Sequence, residues 1–163
     1  MGKIAFVFSG QGAQVPGMGK ELQECSKAAK AVFDMAEEVR PGTLHQCMEG
    51  TKEELGQTIN TQPCVFAVDL AAAQAVLERG IHPDCVAGFS LGEIAAVGFS
   101  GMLSHKEAFA LVCARAKLME EAAQANHGAM AAVLKLDASE VERLCGQYKD
   151  AWPVNYNCPK QTV

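Results

Sequence analysis

The hexapeptide Gly88-Phe89-Ser90-Leu91-Gly92-Glu93 constrains this chain more than any other feature. It follows Cys85-Val86-Ala87, an apolar run that reads as a buried strand, and it opens Leu91 to Phe99, a small-residue stretch of helical character. A strand that turns sharply into a helix holds a corner serine clear of the sheet and aims the next backbone N–H at whatever bonds to it. Gly88 and Gly92 lack a Cβ, so strand and helix backbones can approach closely and a strained corner is tolerated. Two readings of Ser90 follow. It is either a nucleophile placed for acyl chemistry or an N-cap that satisfies a free helix N–H. Glu93, in the first turn, complements the helix dipole under both.

The rest of the chain suits an α/β domain. Ile4 to Phe8 is a continuous apolar run expected to form a strand buried on both faces of a parallel sheet. A polar, glycine-rich loop, Ser9 to Gly17, leads into a long amphipathic helix expected from about Met18 to Val39 and ended by Pro41-Gly42. Thr61-Gln62-Pro63 is expected to start a helix, with Thr61 as cap and proline in the first turn, that runs to about Arg79. Ser104-His105-Lys106-Glu107 has capping-box spacing and opens a helix reaching roughly Ala123. Asn126-His127-Gly128 reads as a break. Beyond it, Ala129 to Leu136 is expected as a strand, Ala138 to Lys149 as a helix and Pro153 to Asn157 as a second strand.

With 163 residues, 49% of them hydrophobic, the chain is long enough for one domain with a real core. A formal net charge of −5 and scattered Lys and Arg argue against a nucleic-acid or anionic-membrane surface. The seven cysteines are odd in number and irregularly spaced, with no C-x-x-C pair, and read as reduced thiols of a cytoplasmic protein. Ile4 to Phe8 is too short for a signal peptide or a membrane span. Gly10-Gln11-Gly12 begins like a dinucleotide fingerprint, but Val15 stands where the third glycine belongs. No Walker A, H-E-x-x-H or EF-hand pattern occurs.

Six stretches occur in an order that resembles malonyl-CoA:acyl carrier protein transacylases: Gly10 to Gln14, Thr61 to Pro63, Gly88 to Glu93, Arg115 to Met119, Gly128 to Ala132 and Asn155 to Pro159. The chain looks like the N-terminal half of that family. The resemblance implies a partial parallel-sheet, hydrolase-like core over residues 1–126 and the first β-α-β of a ferredoxin-like small subdomain over 127–163. It implies Ser90 as the nucleophile, carrying malonyl from coenzyme A to the phosphopantetheine thiol of acyl carrier protein by ping-pong covalent catalysis. The backbone N–H of Leu91, placed by the elbow, and Gln11 are then the oxyanion donors. Read from its residues alone, Gln11 is a polar loop residue satisfying backbone groups.

Arg115 sits within the apolar helical stretch Phe109 to Met119, where a charge needs a partner. Its planar fork matches a carboxylate, and the resemblance assigns it the free carboxylate of malonate. The alternative is an arginine that reaches solvent or pairs with Glu107 or Glu120. None of His45, His82, His105 and His127 matches the family's catalytic histidine, which lies downstream of the part resembled. His127 is the one to test as a substitute. Phe89 stands where the family commonly has histidine, and Ala116 where it has glycine.

The ligands implied are malonyl-CoA and acyl carrier protein, with no metal or organic cofactor. An acidic carrier would need a local basic surface on this acidic chain. A complementing C-terminal half, or a truncated enzyme whose sheet edges stay exposed, is expected from the resemblance. Two other readings stand beside transfer. One is a serine hydrolase that cleaves esters. The other is a non-catalytic remnant that binds a partner, favoured by the missing base.

Overall fold

The computed structural model describes residues 2–163. The chain divides into two compact units, Met1–Ala125 and Asn126–Val163. The first is a mixed α/β unit. Strand β1 (Ala5–Phe8) runs parallel to β2 (Cys85–Gly88), with Phe6 opposite Val86 and Phe8 opposite Gly88. Between them lie α1 (Lys20–Cys25), α2 (Lys27–Val39), α3 (Thr43–Glu49), α4 (Lys52–Gly56) and α5 (Thr58–Glu78), and after β2 come α6 (Leu91–Phe99) and α7 (His105–Ala125).

Helix α5 is the centre of this unit. It is largely apolar with no single polar face, as suits a helix surrounded by others, and Phe66, Ala67, Leu70 and Ala71 are fully buried. It packs against α7, α2 and α6. The α2 residues Ala29, Val32, Phe33 and Ala36 make the i, i+3, i+4, i+7 stripe that meets it. The sheet joins the core through Phe6 and Phe8, whose rings each lie 5.5 Å from that of Phe99 on α6.

Several expectations change. The strand at Ile4 to Phe8 is buried on one face only: Phe8 is 4% exposed and its neighbour Val7, pointing the other way, 77%. The long helix expected from Met18 is two helices broken at Ser26. Its extended backbone ends α1, its hydroxyl accepts from Ala29 N–H to cap α2, and the same hydroxyl donates to Glu78 at 2.7 Å. The Thr61 helix begins at Thr58 instead. Thr61 is no cap, because its Oγ1 turns back onto the carbonyls of Leu55 and Gln57, and Pro63 sits inside the helix. The capping box holds: Glu107 N–H donates to Ser104 Oγ at 3.2 Å and Ser104 N–H to Glu107 Oε2 at 2.9 Å.

The second unit contains β3 (Val133–Leu134), α8 (Ala138–Cys145), β4 (Tyr156–Cys158) and β5 (Gln161–Thr162). Its sheet order is β3-β5-β4 with both pairings antiparallel. The strand expected over Ala129 to Leu136 is thus only two residues long, and the one expected over Pro153 to Asn157 is β4, which lies beside β5 and not beside β3. β3 and β4 therefore run in the same direction with β5 inserted between them. Lys160 pairs with Asp137 at 2.6 Å, beside the start of α8.

A groove of about 260 Å³ separates β1 from α5. Asp69 lines it, accepting from Ser9 Oγ at 2.9 Å while its second oxygen is buried without a partner among the described residues. Burial pushes the Asp69 carboxyl from 3.8 up to about 6, against the lowering effect of Ser9. The folded state therefore binds this proton more tightly than the unfolded chain does, so the contribution of Asp69 to stability falls as pH rises from about 4 to about 6. Asp69→Asn keeps an acceptor for Ser9 and removes the titration. We expect its urea midpoint to match wild type near pH 4 and exceed it at pH 7. Midpoints that differ by the same amount at both pH values would contradict this origin of the shift.

Candidate active site

The end of β2 and the start of α6 are locked by contact between backbones. A Cβ on Gly88 would lie 2.1 Å from the carbonyl carbon of Gly92, and a Cβ on Gly92 would lie 2.4 Å from the carbonyl oxygen of Phe8. Both glycines are needed for β1, β2 and α6 to meet this closely. Between them Ser90 adopts φ 55° and ψ −112°, a conformation that costs a non-glycine residue of order 1–3 kcal/mol and persists where surrounding structure enforces it.

The Ser90 hydroxyl makes no capping bond to α6. The N-cap reading of this serine therefore fails. Its Oγ is exposed at the corner and accepts a hydrogen bond from Arg115 Nη2 at 3.1 Å. Leu91 is the first residue of α6, so its N–H has no partner within the helix and stands beside the serine. Its side chain is fully buried and anchors the turn.

Arg115 reaches the serine from α7. Its Nη1 donates to Gln62 Oε1 at 2.5 Å. Glu107 and Glu120, the carboxylates weighed as partners, are engaged with Ser104 and Gln124 instead. Among the described residues Arg115 makes no salt bridge, so its charge is held by neutral groups. Gln62 is a contact of Arg115 that the sequence does not single out. Its pairing with Arg115 spans 53 positions and leaves no local signal in the sequence.

Gln11 lies in the turn after β1 and its Nε2 donates to Thr58 Oγ1 at 3.3 Å, not to Ser90. The loop nonetheless passes close to the elbow, since a Cβ on Gly10 would lie 2.8 Å from the carbonyl oxygen of Phe89. The histidines of the first unit stay apart from the serine: His45 faces Glu49, His105 meets Gln74 Nε2 at 3.4 Å, and His82 is exposed. Burial lowers the pKa of His105. His127 belongs to the second unit. All seven cysteines are free thiols. Among the described residues no cluster of His, Cys, Asp and Glu is arranged to hold a metal, and no helix is long and apolar enough to cross a membrane.

A serine held at a strained strand-to-helix corner, with a helix N–H beside it and an arginine on its hydroxyl, is an arrangement whose chemistry is suited to forming a serine ester. The acyl transferase domain model matches residues 5–163, and the chain belongs to that family. It is 43% identical over its whole length to the malonyl CoA-acyl carrier protein transacylase of Bacillus subtilis, of which it covers 53%. The crystal structure of an acyl carrier protein S-malonyltransferase from Vibrio cholerae superposes with a TM-score of 0.90 at 35% identity, over 99% of this chain and 54% of that one. MCAT from Streptococcus pneumoniae superposes at 0.87 with 39% identity, over 97% and 53%. The chain spans about half the length of the curated relatives it matches.

Proposed function

We propose that this chain carries the nucleophile and the acyl-carboxylate anchor of a malonyl-CoA:acyl carrier protein transacylase. The observation that carries the reading is the hydrogen bond from Arg115 to Ser90 Oγ. An acyl group bound to that oxygen places whatever lies beyond its carbonyl carbon beside a guanidinium that has no carboxylate partner among the described residues. A malonyl group brings one. An acetyl group leaves the guanidinium unpaired, which a site built to bind charge rejects.

In the first half-reaction Ser90 Oγ attacks the thioester carbonyl of malonyl-CoA. The carbon–oxygen bond forms, the carbon–sulfur bond breaks, and the serine proton leaves through a general base to the departing thiolate. In the second, the carrier protein's phosphopantetheine thiol attacks the seryl ester and restores the hydroxyl. Negative charge develops on the carbonyl oxygen in both steps. The Leu91 N–H is one donor for it. Gln11 becomes the other once its amide leaves Thr58. Arg115 only donates, so it cannot be the base. The base on this reading is the family's histidine, downstream of the part this chain resembles. No cofactor is called for, because the acyl group travels on serine. The finer fold reading goes with this one: residues 1–126 as part of a hydrolase-like core, 127–163 as the start of a ferredoxin-like subdomain, in a cytoplasmic enzyme of fatty-acid or polyketide synthesis.

Transfer and hydrolysis are separated by supplying malonyl-CoA with a phosphopantetheinylated carrier protein. The full-length protein should load the carrier thiol faster than it releases free malonate. Malonate released at the same rate with and without carrier would favour the serine hydrolase.

A further inference from the structure

Gln62 is the least expected polar residue of the core. It is fully buried on α5, among Thr61, Pro63 and Phe66, and it touches Arg115 rather than a backbone group. An arginine has only donors, so the amide must turn its oxygen toward it. That fixes the other end: Nε2 faces Met119 Sδ at 3.2 Å, one turn further along the helix that carries Arg115. The amide is thus clamped between two side chains of α7. One guanidinium nitrogen is held by Gln62, and the other remains on the serine hydroxyl.

The partner's neutrality matters as much as its position. A carboxylate at residue 62 would hold Arg115 as firmly, and it would also neutralise it. The amide directs the guanidinium without consuming its charge. We propose that Gln62 is a positioning residue that sets acyl selectivity: it braces Arg115 toward Ser90 and keeps the positive charge uncompensated for an acyl group that ends in a carboxylate. This rests on the transacylase reading above.

The test compares Ser90 acylation by malonyl-CoA and by acetyl-CoA in the full-length protein, as wild type, Gln62→Glu, Gln62→Met and Ser90→Ala. The Gln62→Glu carboxylate competes with the acyl carboxylate, and the malonyl-to-acetyl preference should fall about 100-fold. Gln62→Met removes the brace but adds no charge, and the preference should fall about 10-fold. A merely structural role would lower both acyl groups together. An unchanged ratio in Gln62→Glu therefore overturns the proposal while leaving the transacylase reading intact. Acylation of wild type that persists in Ser90→Ala, or no acylation at all, overturns the reading and the selectivity role with it. A second readout addresses the brace directly. The Arg115 Nη protons should give separate, slowly exchanging NMR signals in wild type and a single averaged signal in Gln62→Met. The same averaged signal in both proteins would show that no brace exists.

Discussion

Gly88→Ala should unfold the elbow and with it much of the first unit. The added methyl would sit 2.1 Å from the carbonyl carbon and oxygen of Gly92 and 2.3 Å from the amide nitrogen of Glu93. These are backbone atoms, so no side chain can swing aside. Relief requires β2 and α6 to separate. Gly92 blocks that movement from the other side, because it is already pressed onto the carbonyls of Phe8 and Ser9 at the end of β1. Overpacking by one methyl in an adaptable core costs about 1–3 kcal/mol, and a clash with fixed backbone lies at or above the top of that range. Against a typical stability of about 5–15 kcal/mol this is a large loss. Urea denaturation followed by far-UV circular dichroism should show a midpoint lower by 1 M or more, taking a slope of about 1–3 kcal/mol per molar. A midpoint within error of wild type would show that the elbow is not locked as described.

Arg115→Ala should have the largest effect on substrate choice. Removing the guanidinium takes away the cation held against the serine hydroxyl. The malonyl carboxylate then loses a charge-assisted pairing worth about 2–5 kcal/mol when partly desolvated. At 1.4 kcal/mol per tenfold, kcat/KM with malonyl-CoA should fall by about 30- to 4,000-fold. Acetyl-CoA offers no carboxylate, so its loss should be far smaller. Arg115→Lys should not restore malonyl transfer, because a single ammonium cannot bond Gln62, the serine and a carboxylate in the same fork geometry. Equal losses with the two thioesters would mean that Arg115 maintains the elbow and does not read the acyl group.

The parts of the fold that were legible in the sequence are those fixed by neighbouring residues. The elbow rests on glycines two positions from the serine. The capping box from Ser104 to Glu107 is four residues long, and α7 follows from it. What escaped is what distant side chains decide. Ser26 breaks a helix that periodicity would continue, because Glu78, 52 residues away, accepts a hydrogen bond from its hydroxyl. The start of α5 moved back to Thr58, where Gln57 supplies the carbonyl that Asn60 and Thr61 N–H donate to. The two-residue strands β3 and β5 are too short to show a period, so their antiparallel pairing could not be read. At the site, Ser90 and Arg115 stood out as residue types in unusual company, whereas Gln62 lay unremarked inside a helix-start motif.

Ser90 is expected to become an ester of malonate. Intact-protein mass spectrometry after incubation of the full-length protein with malonyl-CoA measures this directly, with Ser90→Ala alongside. Seven free thiols compete as acceptors, so each sample is also treated with neutral hydroxylamine, which cleaves thioesters faster than oxygen esters. The expected result is one malonyl group per chain that resists brief hydroxylamine treatment and is absent from Ser90→Ala. A malonyl group that survives in Ser90→Ala, or no adduct on the folded wild-type protein, would contradict the claim.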